Sequence, residues 1–299
     1  MKGKPVSESK LLELISRVLP KPSPDTLAGI GDDCAVIDDR KNKGDLSLLK
    51  TDALVEGIHY APTTSLQLVG RKALCRPISD IAAMGGTPLH AVITVAAPSS
   101  WGSSQWSSLY RGIGRAAHTF GISIVGGETV RSPGPLFLSV AMTGMVAKPN
   151  IRLRSGARPG DLLCVTGKLG GSFKSSRHLR FQPRLAEGQW LASQRGVTAM
   201  MDLSDGLGSD LPKLAHASGC AFRLVPESLP LNRDCTMHEA ITDGEDYELL
   251  ISVSPRRWPD LQARWEEIFS RLPLTVIGSL LDHHNSFTPL PSGYDHFQS

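Results

Sequence analysis

GIGDDCAVI, residues 29–37, sets two glycines and two adjacent aspartates at the mouth of a short apolar run. Neighbouring carboxylates repel, so Asp32 and Asp33 cost stability unless a cation lies beside them. Gly-Asp-Asp is also ordinary turn chemistry, and in isolation the stretch reads as a turn opening a strand. The choice between turn and site depends on whether other acids stand at comparable junctions. KTD places Asp52 after LSLLKT, PISDIAAMGG carries Asp80 in a small-residue helix, and SIVGGETV places Glu128 after a strand and two glycines. MMDLSDGL contributes Asp202 and Asp205 on either side of Ser204, and TDGEDYELL sets Asp243, Glu245 and Asp246 ahead of a strand. Each acid has a plainer reading: Asp80 and Asp205 as helix caps, DGED as an exposed loop. As a set they describe carboxylates gathered at strand ends, where α/β proteins bind ligands. Carboxylates so gathered must bind cations or shift their pKa values upward.

The chain around them is 299 residues long, 40% hydrophobic and 20% charged, enough apolar material for one large domain or two of ordinary size. A net charge of +3 is too small and too scattered to argue for nucleic acid. The five cysteines are odd in number, widely spaced and never CxxC, so neither a disulfide framework nor a zinc site follows; four read as small core residues. No stretch resembles a leader or a membrane span, and the expectation is a soluble cytoplasmic protein.

Helical periodicity runs over 8–19, 65–84 and 106–119, and CAVI, LSLLKT, HAVITVAA, ISIVGG and PLFLSVAMTGMV read as strands, the last long enough to be central. The polar AKPNIRLRSGARPG marks a boundary, giving expected domains over 1–148 and 149–299. Beyond it, strands are predicted at DLLCVTG, VTAMMDLSD, ELLISV and LTVIGSLL, with helices at PRLAEGQWLASQRG, LGSDLPKLAHASG and 259–270. Strand and helix alternate in both halves, so the fold class is α/β.

Hard oxygen ligands suit Mg²⁺, which keeps several waters and binds through one or two carboxylates together with substrate phosphates. A ring of acids from scattered strand ends therefore implies a nucleotide phosphate chain coated by several magnesium ions. Glycines in GIGDD let backbone N–H groups approach phosphate oxygens. There is no GxxxxGK[ST] loop and no GxGxxG opening a βαβ unit, which excludes a P-loop and lowers a dinucleotide reading. SFKSSRHLR and IRLRSGAR, the latter containing Arg154, supply cations for phosphates or for the solvated surface.

With these residues assembled, the chain resembles the thiamine-monophosphate kinases, of the fold family of aminoimidazole ribonucleotide synthetase. The resemblance runs from GIGDDCAVI through TDALVEGIHY, SDIAAMGGTP, GGET, RSGARPGD and MDLSDGL to DGEDYELL and the terminal GYDHF. It implies a two-domain α/β fold whose N-terminal domain carries ATP and metal and pairs with its twin in a homodimer. It implies metal ligands at Asp33, Thr51, Asp52, Asp80, Glu128, Asp202 and Asp205. Nucleotide contacts are implied at Gly127, Glu128, Arg154 and Ser204, and contacts to thiamine phosphate at His59, Glu245 and Tyr294. The implied reaction is in-line transfer of the ATP γ-phosphoryl group to the phosphate of thiamine monophosphate, with ATP as co-substrate, several Mg²⁺ ions, and no residue acting as nucleophile or base. The acceptor is already anionic, so the obstacle is repulsion between polyanions, which positioning and positive charge overcome.

Several positions depart from the family pattern. Lys50 stands where a small hydroxyl residue is usual, Pro77 replaces an asparagine, Glu128 an aspartate and Asp243 a glycine. The loop after VTGKLGG is more basic than usual. These changes motivate one alternative, a divergent member that binds ATP without turnover or takes another substrate.

Overall fold

The computed structural model describes residues 7–39, 44–284 and 289–296. The chain start MKGKPV, the centre of the polar link at 40–43 and Phe297 of GYDHF lie outside these described residues. In the first half, α1 (Glu8–Val18), β1 (Thr26–Ala28), β2 (Ala35–Ile37) and β3 (Asp45–Val55) lead into α2 (Leu66–Ala83) and β4 (Thr87–Ala97). Then come α3 (Ser103–Phe120), β5 (Ser123–Arg131) and β6 (Phe137–Ala147). The strands form one sheet in the order β1-β2-β3-β6-β4-β5, antiparallel except for the parallel β4–β5 pair. The predicted central strand is central: β6 lies between β3 and β4.

The second half contains β7 (Leu162–Thr166), α4 (Leu185–Ser193), β8 (Val197–Asp202), α5 (Leu207–Ala217) and β9 (Cys220–Leu224). It ends with α6 (Met237–Thr242), β10 (Leu249–Val253), α7 (Trp258–Ile268) and β11 (Leu274–Asp282). Its sheet, ordered β8-β10-β7-β11-β9, is wholly antiparallel.

The two sheets bury themselves differently. One face of the first packs on α2 and α3 through Leu48, Leu74, Ile78, Ile93, Leu109 and Leu138. Its other face carries Leu49, Val92, Val130 and Phe137, all exposed. The second sheet is covered on both faces, one core holding Val165, Leu211 and Ile277, the other Met200, Ile251 and Trp265. Every residue of β10 is buried in consequence. Cys34, Cys75, Cys164 and Cys220 are core residues, as expected.

Two strands are longer than predicted, and this moves two acids. LSLLKT continues through TDALV because β6 pairs with it over its whole length, so Asp52 sits in mid-strand rather than after one. ISIVGG continues through ETVR because β4 supplies partners as far as Arg131, so Glu128 also lies within a strand. Backbone pairing with a long neighbour overrides the local weakness of charged and glycine residues as strand formers. Gly127 is a requirement of that pairing: a Cβ there would lie 2.0 Å from the carbonyl oxygen of Ile93. The short β1, β9 and α6 have no counterpart in the sequence reading.

Candidate functional site

Asp33, Asp80 and Asp202 come from the turn before β2, the last turn of α2 and the end of β8. Their carboxylate oxygens lie within 4.8 Å of one another, and all three residues are buried. This answers the question posed by the paired aspartates, which take opposite parts. Asp32 accepts hydrogen bonds from its neighbour's N–H (3.0 Å) and from Arg154 N–H (3.4 Å), bracing the segment that links the two sheets. Asp33 turns inward, where Arg154 Nη2 donates to its Oδ1 at 2.6 Å and Oδ2 has no hydrogen-bond partner among the described residues. Asp202 accepts the Ser79 hydroxyl at 2.6 Å. Burial, reinforced by Asp33, pushes Asp202 up to about 7. Burial also drives Asp80 well above the carboxylate range, although Lys50 opposes it. Asp32 rises to about 6 for the same first reason, burial, with Asp33 adding to it.

Asp80 is therefore not the cap of a starting helix, since it stands near the end of α2. Pro77 sits inside that helix without ending it, and the helix runs on to Ala83. Lys50 and Asp52, two apart on β3, face the same side as the core residues Leu48 and Leu54. Lys50 Nζ donates to Asp80 Oδ1 at 2.5 Å. Burial works against its charge, but Asp52 and Asp80 outweigh burial and hold the ammonium above its ordinary range. Asp52 lies 3.6 Å from Arg76, and its Oδ2 lacks a partner among the described residues.

Thr51 projects to the opposite face of β3, where its hydroxyl is 3.3 Å from Ser139, so the structure does not bring it to the three acids. Glu128 is exposed on the far strand β5, again apart from them. Asp205 pairs with Lys213 at 2.5 Å rather than joining the three. The N–H groups of Ser204 and Asp205 donate to Asp210 Oδ2, which fixes the DLSDGL turn.

His59, Glu245 and Tyr294 converge. Buried Lys72 donates to the His59 carbonyl at 2.6 Å and to Glu245. His178 Nδ1 lies 2.8 Å from Lys72 Nζ and 3.1 Å from Glu245. The His59 ring stands 5.3 Å from that of His296, which stands 4.9 Å from that of Tyr294. His59 Nδ1 accepts the Val55 N–H at 3.0 Å, so this histidine is held by backbone while its ring faces the cluster. Burial and Arg76 lower it to about 4, leaving it neutral. Burial would raise Glu245, but the His178 hydrogen bond, Lys72 and Arg76 prevail and hold it down at about 2. Burial brings Lys72 down to about 8 against the pull of Glu245. Glu245 and Tyr247 both occupy left-handed backbone, φ 63° and 52°, a strain typical of functional loops. Asp243, by contrast, has φ −71° and accepts the Gly171 N–H, so no glycine is needed there.

Sequence reading passed over Lys72, Arg76 and His178. The first two were legible: positions 72, 76 and 80 fall at i, i+4 and i+8, a polar stripe on the buried side of α2. That stripe joins the two poles, and its ends are about 12 Å apart at the helical rise. His178 had no local signal, because its loop reads as solvated basic sequence yet folds inward.

A six-stranded sheet backed by two helices, bordered by a buried group of aspartates and joined to a second, antiparallel sheet, defines a class. The family described as AIR synthase related protein, N-terminal domain, matches residues 31–146. Within that class the relatives are specific. A thiamine-monophosphate kinase of Rhodopirellula baltica is 37% identical, over 86% of this chain and 84% of its own length. One from Bacillus subtilis is 32% identical, over 90% of this chain and 93% of its own. The solved structure of AaThiL complexed with AMPPCP and TMP superposes with a TM-score of 0.83 at 29% identity, covering 97% of both chains. The chain belongs to the thiamine-monophosphate kinase family.

Proposed function

We propose that this chain transfers the γ-phosphoryl group of ATP to the phosphate of thiamine monophosphate, giving thiamine diphosphate and ADP. The observation that carries the reading is the convergence of Asp33, Asp80 and Asp202 at one end of the α2 stripe and of His59, Glu245 and Tyr294 at the other. AaThiL, so similar over its whole length, was captured with AMPPCP and TMP, a non-hydrolysable nucleotide and the acceptor.

The three acids fit magnesium. They offer hard oxygens only, one oxygen of Asp33 has no other partner among the described residues, and Lys50 and Arg154 offset their mutual repulsion only in part. Asp33, Asp80 and Asp202 would hold the ion, with Asp52 beside them; when bound, it neutralises phosphate charge and orients the phosphoryl oxygens. Arg154 brings a guanidinium to the same point from the segment linking the sheets, in the fork geometry that suits phosphate oxygens. Lys72, which is buried, and Arg76 stand between the poles, where their charge offsets that of two phosphate-bearing reactants. Glu245, held ionised, faces the cationic thiazolium end of the acceptor, and the exposed Tyr294 ring supplies an aromatic face to it. No side chain is needed to remove a proton from an acceptor that is already anionic.

The homodimer is part of the same reading. The open face of the first sheet, with Leu49, Val92, Val130 and Phe137 exposed, supports pairing of two copies there. Thr51 and Glu128 lie on that face, so any part they take in metal or nucleotide binding depends on the pairing. The boundary at 148/149 falls between the end of β6 and the start of β7, and we retain it as the limit of the ATP-binding unit. Incubating the protein with ATP, Mg²⁺ and thiamine monophosphate should yield thiamine diphosphate and ADP in equal amounts. ADP without thiamine diphosphate, or ATP binding without either product, would instead favour the altered or non-catalytic member.

A further inference from the structure

The geometry points to Lys50 as a resident counter-ion that occupies the Asp52–Asp80 side of the acid group and excludes a divalent ion from it. This rests on reading the group as a metal centre. Lys50 Nζ already sits 2.5 Å from Asp80 Oδ1. A magnesium ion on that same oxygen would stand about 2.1 Å from it, bringing the two cations to within about 5 Å across a largely buried space. At that spacing the repulsion between the two cations cancels about half of the attraction that the shared carboxylate oxygen returns to the ion, and Lys50 already fills that side of the oxygen. The charge balance agrees. Asp33, Asp52, Asp80 and Asp202 stand with the side chains of Lys50, Arg76 and Arg154, four carboxyl groups against three cationic side chains. Lys50 thus supplies permanently, from β3, a charge that an added ion would otherwise have to bring. The remaining opening is on the Asp33–Asp202 side, where Asp33 Oδ2 has no protein partner among the described residues and Asp202 has only a neutral hydroxyl.

The test is a count of bound Mn²⁺ by electron paramagnetic resonance on the full-length chain, paired with thermal unfolding in EDTA and in Mg²⁺. Lys50→Ser and Lys50→Met should each bind one more Mn²⁺ per chain than the parent protein, and Lys50→Arg the same number as the parent. In EDTA, Lys50→Met should melt lower by about 5 °C or more, because Asp80 is left buried without its partner. Mg²⁺ should restore most of that loss. Should Lys50→Met fail to fold in either buffer, the count is read from Lys50→Ser. An unchanged count in the serine and methionine variants, with Mn²⁺ bound by the parent, overturns this inference and leaves the metal centre standing. Failure of all the proteins to bind Mn²⁺ overturns both.

Discussion

Two groups of buried carboxylates stand at the two ends of the α2 stripe, and they are built on opposite plans. At the DGEDYE end each of the three buried acids has its own cation: Glu245 has Lys72, Asp246 has Arg177 and Glu248 has Arg184. At the other end Asp33 and Asp80 have Arg154 and Lys50, yet together with Asp202 they also point at one another. Asp202 there receives only a hydroxyl, and one oxygen of Asp33 receives nothing among the described residues. Acids that stand apart, each with its cation, fix backbone; acids that converge keep a repulsion their own cations do not remove.

The comparison can be broken by neutralising each end in turn. Asp202→Asn should cut turnover by about a thousandfold or more, while the metal-free protein melts no lower than the parent, because a repelling charge has gone. Near-normal turnover would remove the converging group from the mechanism. Arg184→Met should do the reverse, losing about 3–5 kcal/mol of stability by stranding Glu248, as read by denaturant unfolding, with Mn²⁺ binding unchanged. A loss of Mn²⁺ binding in that variant would show that the two groups are not separate.

Acid sharpens the contrast further. Glu245 is held at about 2 in the folded chain against an ordinary 4.5, so the folded state binds fewer protons than the unfolded one between these values. Its contribution, about 3 kcal/mol, is present above the unfolded value and is lost as pH falls toward the folded one. The stability gap between the parent and Glu245→Gln should therefore be widest near neutrality and shrink below pH 4.5. A gap independent of pH would mean that Glu245 is not held ionised by its neighbours. The smallest effect belongs to the exposed Tyr294: Tyr294→Ala should raise KM for thiamine monophosphate by about 3- to 10-fold with kcat little changed, the worth of one aromatic contact.

The acids themselves, their glycine and serine neighbours and the α/β alternation were legible in the sequence, because each depends on residue type and short-range spacing. Lys50 stood out only against the resemblance, as a lysine where a small hydroxyl residue is usual. The stripe of Lys72, Arg76 and Asp80 was equally readable from helical spacing, although the eye is drawn to acids at strand ends first. What the sequence could not supply was which acids share a space. Thr51, Asp52 and Glu128 look alike as junction residues, yet the pairing of β3 with β6 and β4 with β5 sends Thr51 and Glu128 away from the three acids and Asp52 toward them. That outcome turns on strand length and on the two-residue alternation of faces, both set by neighbouring strands rather than by the segment itself. The inward fold of His178 and the assignment of one cation to each buried acid of DGEDYE are likewise properties of contacts between segments far apart in the chain. Local chemistry determined the kind of site, and the register of the sheets decided its membership.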